Sequence, residues 1–203
     1  MPNTVQLLVG LGNPGPQYAT TRHNVGFWFV DALAQANGVA LRNTPRFFGE
    51  LGEWPHPGGR VRLFKPSTFM NRSGQAVAAL ANYYRYPPAS ILVVHDDVDL
   101  PAGAARLKDG GGHGGHNGLR DILQHLDGDE FLRLRFGVGH PGHKDQVADH
   151  VLQRAAKKEE EQILAAMGRA NDVLSQVLAG ELRSAMNALH RPTAESDTSE
   201  SKD

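Results

Sequence analysis

Val5-Gln6-Leu7-Leu8-Val9-Gly10-Leu11-Gly12-Asn13-Pro14-Gly15 sets the architecture of the chain. Val5 to Val9 is a short apolar run that stops at glycines, which reads as a buried strand. Downstream, Asn24 can cap a helix from Val25 to about Asn37, with Phe27, Val30, Leu33 and Ala34 on one side and Gly38 as its stop. Phe47–Trp54 and Val61–Phe64 read as strands joined by Pro55-His-Pro-Gly-Gly. A second helix spans about Gly74–Tyr84 and ends before Pro87-Pro88. Ile91–Val94 is a clean buried strand, Ala104–Lys108 a further candidate, and Leu132–Val138 another. Helices are predicted over Leu119–Leu126 and over Lys157–Leu178, with Ile163, Met167, Ala170, Leu174 and Val177 at heptad-like spacing; Gly180 breaks the latter, and a short helix to about Leu189 follows. Intermixed strands and helices without a repeat predict one α/β domain over residues 1–190. Its twisted sheet is central, mixed but mostly parallel, with helices on both faces. Residues 191–203 are expected to be an acidic, disordered tail.

The chain has 203 residues, 40% of them hydrophobic and 21% charged, enough for a globular core. It has no cysteine, which removes disulfides, thiolate metal sites and a cysteine nucleophile, and fits a reducing cytoplasm. No apolar stretch approaches the ~20 residues of a membrane span. Met1–Gln6 lacks the basic start and apolar run of a signal peptide. Of the 21 basic and 22 acidic residues, the tail from Arg191 holds two and four, so the body carries a balance of +1. A polyanion partner would therefore need a local basic patch.

In an open α/β sheet, function gathers at loops leaving the C-terminal ends of strands. Gly10–Gly15 and His95-Asp96-Asp97 both leave strands in that way. By letter, Gly10–Gly15 matches a dinucleotide fingerprint. However, Pro14 and Pro16 intervene and the helix waits until Asn24, so no helix N-terminus meets a pyrophosphate there. A tight turn that aims Asn13 into a cleft fits better. His23 is either a surface or capping residue or a base. His95 is placed inward on its strand and Asp96 as the first loop residue. A carboxylate there, facing a histidine, suits a dyad better than a metal cage, although Asp96, Asp97 and His116 form a rival metal set.

Gly110-Gly-Gly-His-Gly-Gly-His-Asn-Gly spends much backbone entropy and opens a helix whose free N–H groups can hold an anion. His113 and His116 have a metal-like spacing but lack an obvious third ligand. Lys108, Arg133 and Arg135 read either as a phosphate clamp or as a solvated strand face. Thr68–Gly74 offers Asn71 or Ser73 as a helix cap, or Phe69, Met70 and Asn71 as cleft residues.

Taken together, Gly10-Leu-Gly-Asn-Pro-Gly, Thr21-Arg-His-Asn, Lys65-Pro-Ser-Thr-Phe-Met-Asn-Arg-Ser-Gly, His95-Asp-Asp-Val-Asp-Leu-Pro, Gly114-Gly-His-Asn-Gly-Leu and Arg135-Phe-Gly-Val-Gly-His-Pro-Gly resemble the motifs of bacterial-type peptidyl-tRNA hydrolases, in that family's order. The resemblance runs from about Val5 to His190. It implies cleavage of the ester between a peptide and the 3′ ribose of tRNA, with no cofactor and no metal. It also implies a monomer in the cytoplasm, acting on peptidyl-tRNA and on stalled large ribosomal subunits. By resemblance His23 is the base and Asp96 orients it, while Asn13 separates blocked from free aminoacyl ends. Tyr18, Phe69, Asn71 and Asn117 match substrate contacts, with Met70 and His116 lining the same cleft. Lys108 and Arg135 match the grip on the tRNA 5′-phosphate.

Overall fold

The computed structural model describes residues 4–192. Along it run β1 (Leu7–Gly10), α1 (Val25–Ala36), β2 (Arg42–Thr44), β3 (Gly49–His56), β4 (Gly59–Pro66), α2 (Ser73–Tyr84), β5 (Ile91–Asp97), β6 (Ala105–Asp109), α3 (Asn117–His125), β7 (Leu132–Gly137), α4 (Val147–Val151), α5 (Lys157–Leu178) and α6 (Leu182–Leu189). The strands form one sheet in the order β2-β3-β4-β1-β5-β7-β6. β1 pairs in parallel with both β4 and β5, and β5 with β7. The edges turn back: β3 is antiparallel to β4, β2 to β3, and β6 to β7. Five of the seven strands therefore point one way, as expected of a mixed, mostly parallel sheet.

Alternation along the central strands divides the core between two faces. Leu8, Leu92 and Val94 pack with α1, α5 and α6 residues such as Phe29, Val30, Ile163 and Leu174. Leu7, Val9, Ile91 and Val93 pack with Val77 and Leu80 of α2 and Ile122 of α3. Each such fully buried aliphatic side chain contributes about 1.5–3 kcal/mol, so both helical layers are well anchored.

α1 approaches the sheet at glycines. A Cβ on Gly26 would lie 2.4 Å from the Val94 carbonyl oxygen and 2.5 Å from the Leu11 nitrogen. Gly10 faces Gly26 in the same way, at 2.3 Å. The glycines of the first loop thus serve backbone contact, and α1 opens ten residues beyond Gly15, outside the dinucleotide pattern.

Several expected elements differ. Phe47 belongs to a 3-10 turn and Phe48 is left-handed at φ 56°, so β3 begins at Gly49. Asn24 does not cap α1; a 3-10 turn, Arg22–Asn24, precedes it, and the Asn24 side chain is engaged elsewhere. Neither Asn71 nor Ser73 caps α2. Its cap comes from α3, where Asp121 Oδ2 accepts from Gly74 N at 2.8 Å and Gln75 N at 3.3 Å. β5 continues through Asp96 to Asp97, so Asp96 is a strand residue and not the first of the loop. Most of the acidic tail, from residue 193, lies outside the described residues.

Candidate active site

β5 alternates to its last residues: Asp96 falls on the α1 side of the sheet and His95 on the α3 side. The 3-10 turn before α1 brings His23 against Asp96. His23 Nδ1 lies 3.0 Å from both Asp96 Oδ1 and Oδ2, and both side chains are buried. A carboxylate accepts, so Nδ1 carries the proton and Nε2 holds the free lone pair. Burial pulls the His23 pKa down, but the charge and hydrogen bond of Asp96 outweigh it, and the net displacement is upward from 6.5. Burial alone would raise the Asp96 pKa; the neighbouring His23 and His116 hold it well below the usual carboxylate range.

Two clamps fix the turn that carries His23. On one side the buried Arg22 guanidinium donates to the carbonyls of His150 and Gln153 and pairs with Glu159 Oε2 at 2.8 Å. The same Glu159 oxygen accepts from Ala156 N at 2.8 Å, tying α5's first turn to the arrangement. On the other side Asn24 Oδ1 accepts from Asn13 N and Asn24 Nδ2 donates to Asn13 O, at 2.8 and 3.0 Å. These roles of Arg22 and Asn24 were missed in the sequence; only their adjacency to His23 marked them.

The second partner of the Asp96 carboxylate is His116, whose Nε2 lies 3.0 Å from Asp96 Oδ1. It stands at the N-cap of α3 and accepts from Gly118 N and Leu119 N through Nδ1. The N–H groups expected to hold an anion at α3 are therefore occupied by this ring. His113 turns into its own loop, accepting from Gly115 N at 2.9 Å. His95 donates Nδ1–H to the Asp96 carbonyl at 2.7 Å, and burial pushes its pKa down.

His23, Asp96 and His116 line a cavity of about 620 Å³ together with Asn117, Lys108 and Arg135. Its far wall comes from residues 140–151, with His140, near the end of the Arg135–Gly142 motif, and with Lys144, Val147 and Val151, which no sequence motif marks. The signal there is two histidines beside glycines, His140 and His143, before a helix too short to show a period. Arg135 Nε donates to Asp97 Oδ2 at 2.7 Å, so Asp97 is engaged away from Asp96 and the rival metal set with Asp97 does not assemble. The metal-capable group among the described residues is instead His23, Asp96 and His116, whose ligand atoms lie within 4.8 Å of one another. Those atoms already satisfy one another by hydrogen bonding. Arg133 is buried and donates to the carbonyls of Gly111 and Gly112, with its guanidinium carbon 4.6 Å from the Phe131 ring centre. It props the glycine loop from the wall of the same cavity and, being buried, is not part of a solvated face.

Asn13 lines a second hollow of about 420 Å³ with Pro16, Phe27, Trp28 and Lys65. Its Oδ1 accepts from Met70 N at 2.7 Å, which leaves its Nδ2 to donate. Met70 is buried under Gly118, where an added Cβ would meet its sulfur at 2.6 Å. Tyr18 and Phe69 meet edge to face at 6.3 Å, with Phe69 56% exposed. Asn71 is exposed on the turn before α2. Asn117 is exposed too, its Oδ1 accepting from Arg120 Nη1 at 2.8 Å, so its amide likewise presents Nδ2. Tyr18, Phe69, Met70 and Asn71 line neither of the two cavities; they join the site through Asn13 and Gly118.

Residues 7–198 match the family model described as peptidyl-tRNA hydrolase. A peptidyl-tRNA hydrolase of Azotobacter vinelandii is 56% identical over 187 residues, covering 92% of this chain and 96% of its own. One from Pseudomonas paraeruginosa is 53% identical over 191 residues, covering 94% and 98%. The crystal structure of peptidyl-tRNA hydrolase from Acinetobacter baumannii superposes with a TM-score of 0.89 at 47% identity, covering 93% of this chain and 96% of that one.

Proposed function

The chain belongs to the peptidyl-tRNA hydrolase family and hydrolyses the ester of peptidyl-tRNA; we propose that His23 is the general base of that reaction and Asp96 the group that orients it. The observation that carries this reading is the His23 Nδ1 contact with both oxygens of buried Asp96. With its proton held at Nδ1, His23 takes one from water through Nε2 as the water attacks the ester carbonyl. Asp96 stabilises the imidazolium that forms, and the same proton then passes to the departing 3′ oxygen of the ribose. Such base catalysis contributes ~10²–10⁴-fold. Asn117 Nδ2, freed by the bond of its oxygen to Arg120, is suited to bind the oxyanion, with Asn71 as a second amide; one well-aimed donor is worth about 3–4 kcal/mol.

Asn13 supplies selectivity through the same logic. Its oxygen is taken by Met70 N, so it offers only N–H. An N-blocked substrate presents a carbonyl that accepts this bond. A free α-ammonium is itself a donor and gains nothing, which disfavours ordinary aminoacyl-tRNA. Tyr18 and Phe69 form the neighbouring peptide surface, backed by the buried Met70. Lys108 and Arg135 meet the tRNA 5′-phosphate, and backbone phosphates supply most of the affinity. No helix among the described residues is long and apolar enough to cross a membrane. We place the protein in the cytoplasm as a monomer of one domain, residues 1–190, with an acidic tail. Its substrate includes peptidyl-tRNA held on stalled large ribosomal subunits.

The ligand-like trio His23, Asp96 and His116 favours one second reading, metal-assisted hydrolysis. A single assay separates the two: N-acetyl-aminoacyl-tRNA against the unacetylated form, each with and without a strong chelator. Fast, chelator-insensitive cleavage of the acetylated form alone is expected. Loss of activity on chelation, restored by a divalent ion, would favour the metal; equal cleavage of both substrates would refute the role of Asn13.

A further inference from the structure

Asp96 has two imidazole partners, and the second is held in one tautomer by backbone. Gly118 N and Leu119 N can only donate, at 3.1 and 3.3 Å, so His116 Nδ1 is an acceptor. The proton of the ring therefore sits on Nε2, 3.0 Å from Asp96 Oδ1. Asp96 thus receives one N–H from the turn before α1 and another from the cap of α3. The two rings lie 4.9 Å apart, and the His116 ring also meets His95 edge-on at 5.0 Å.

We infer that His116 is a positioning residue for the His23–Asp96 pair: as the N-cap of α3 it donates to Asp96, fixes that carboxylate, and moderates its pull on His23. The inference rests on the proposed base role of His23 only for its consequence in catalysis. Because His116 takes a share of the charge on Asp96, the imidazolium of His23 is held less tightly than a sole partner would hold it. The cap makes the glycine loop, the start of α3 and the dyad one unit.

Other charged groups around the trio are already engaged or stand farther out. On β5, Asp97 is bonded to Arg135 of β7, and His95 donates to the Asp96 carbonyl. Arg22, beside His23, turns away to Glu159. Arg120 of α3 reaches Asn117. Lys108 of β6, His113 of the loop, and His140 and Lys144 before α4 line the same cavity.

Two substitutions separate the halves of the role. His116→Asn keeps an acceptor where Nδ1 stood and loses the donor to Asp96. His116→Gln keeps a donor near Nε2 and loses the cap. The experiment is an imidazole NMR titration of the isotope-labelled full chain, wild type and both variants, with the pH profile of kcat/KM and the Tm measured alongside. The expected result is a His23 midpoint raised by about 0.5–1 pH unit in His116→Asn, the size of shift one lost hydrogen bond gives. The midpoint should be unchanged in His116→Gln, whose Tm should be the lower of the two. The kinetic acid limb should follow the NMR midpoint while KM changes little. Identical His23 midpoints in all three proteins, with only KM raised, would overturn the inference. Nitrogen shifts showing His116 as the Nδ1–H tautomer in the wild type would overturn it too, and that test needs no variant to fold. These titrations read the coupling without turnover, so failure of His23 as the base would appear separately, in an active His23→Ala.

Discussion

Asn24 and Asn13 bond each other in both directions, side chain to backbone, at 2.8 and 3.0 Å across eleven residues. The turn carrying His23 and the loop carrying the selectivity amide are therefore one rigid piece. Asn24→Ala leaves a buried N–H and a buried carbonyl without partners, a cost of about 1–3 kcal/mol. Chemical denaturation should show that loss. Kinetics should show a weakened preference for N-acetyl over free aminoacyl-tRNA; retained stability and preference would remove the clamp from the account.

Asp96→Asn addresses electrostatics. The pKa of His23 is displaced upward from 6.5, so the acid limb of kcat/KM in the wild type lies above that value, because the base must be neutral to act. Without the carboxylate charge only burial remains, and the limb should move below 6.5 while kcat falls. The sign for stability follows. A raised imidazole pKa stabilises the fold below 6.5, and this is lost as pH rises through the folded value. The lowered carboxyl pKa of Asp96 contributes above its ordinary 3.8 and is lost as pH falls through its folded value. The Tm gap between wild type and Asp96→Asn should therefore be widest near pH 5–6 and shrink at alkaline pH.

Lys108→Ala and Arg135→Ala test the phosphate grip. Each should raise KM at physiological salt, and each should reduce the slope of log affinity against log salt by about 0.7–0.9 if one phosphate contact is lost. An unchanged slope in both would place the tRNA elsewhere.

Gly26→Ala tests the packing that sets the turn. The added carbon would strike the Val94 oxygen and the Leu11 nitrogen at 2.4 and 2.5 Å, both backbone atoms of central strands or their ends. Overpacking of this kind costs about 1–3 kcal/mol or more. The Tm should fall and hydrolysis with it; a stable, active variant would contradict the close approach.

The parts of the fold that rest on periodicity were legible. α5 spans Lys157–Leu178 as its apolar spacing predicts, and stops before Gly180, which is left-handed at φ 82°. β2 was not legible, because three edge residues, Arg42–Thr44, carry no apolar signal. The short α4 hid for a different reason: five residues, Val147–Val151, are too few to show a helical period. Asn24 looked like a cap because its type suits that position, but tertiary bonding to Asn13 claimed its side chain. Asp96 reads in the sequence as the first loop residue because a polar side chain after an apolar run suggests a strand end, but here polar residues prolong β5 into the site. His23, Asp96 and their neighbours were legible as a set through resemblance. The tautomers, the engagement of Arg135 by Asp97 and the burial of Arg133 depend on contacts between residues distant in the chain, which no local pattern encodes.

The central claim is that Nε2 of His23 activates the water. The most direct measurement is single-turnover hydrolysis of N-acetyl-aminoacyl-tRNA by His23→Ala, with tRNA affinity measured on the same preparation. The expected rate is lower by about 10²–10⁴-fold or more with affinity nearly unchanged; a rate close to that of the wild type would rule out His23 as the base.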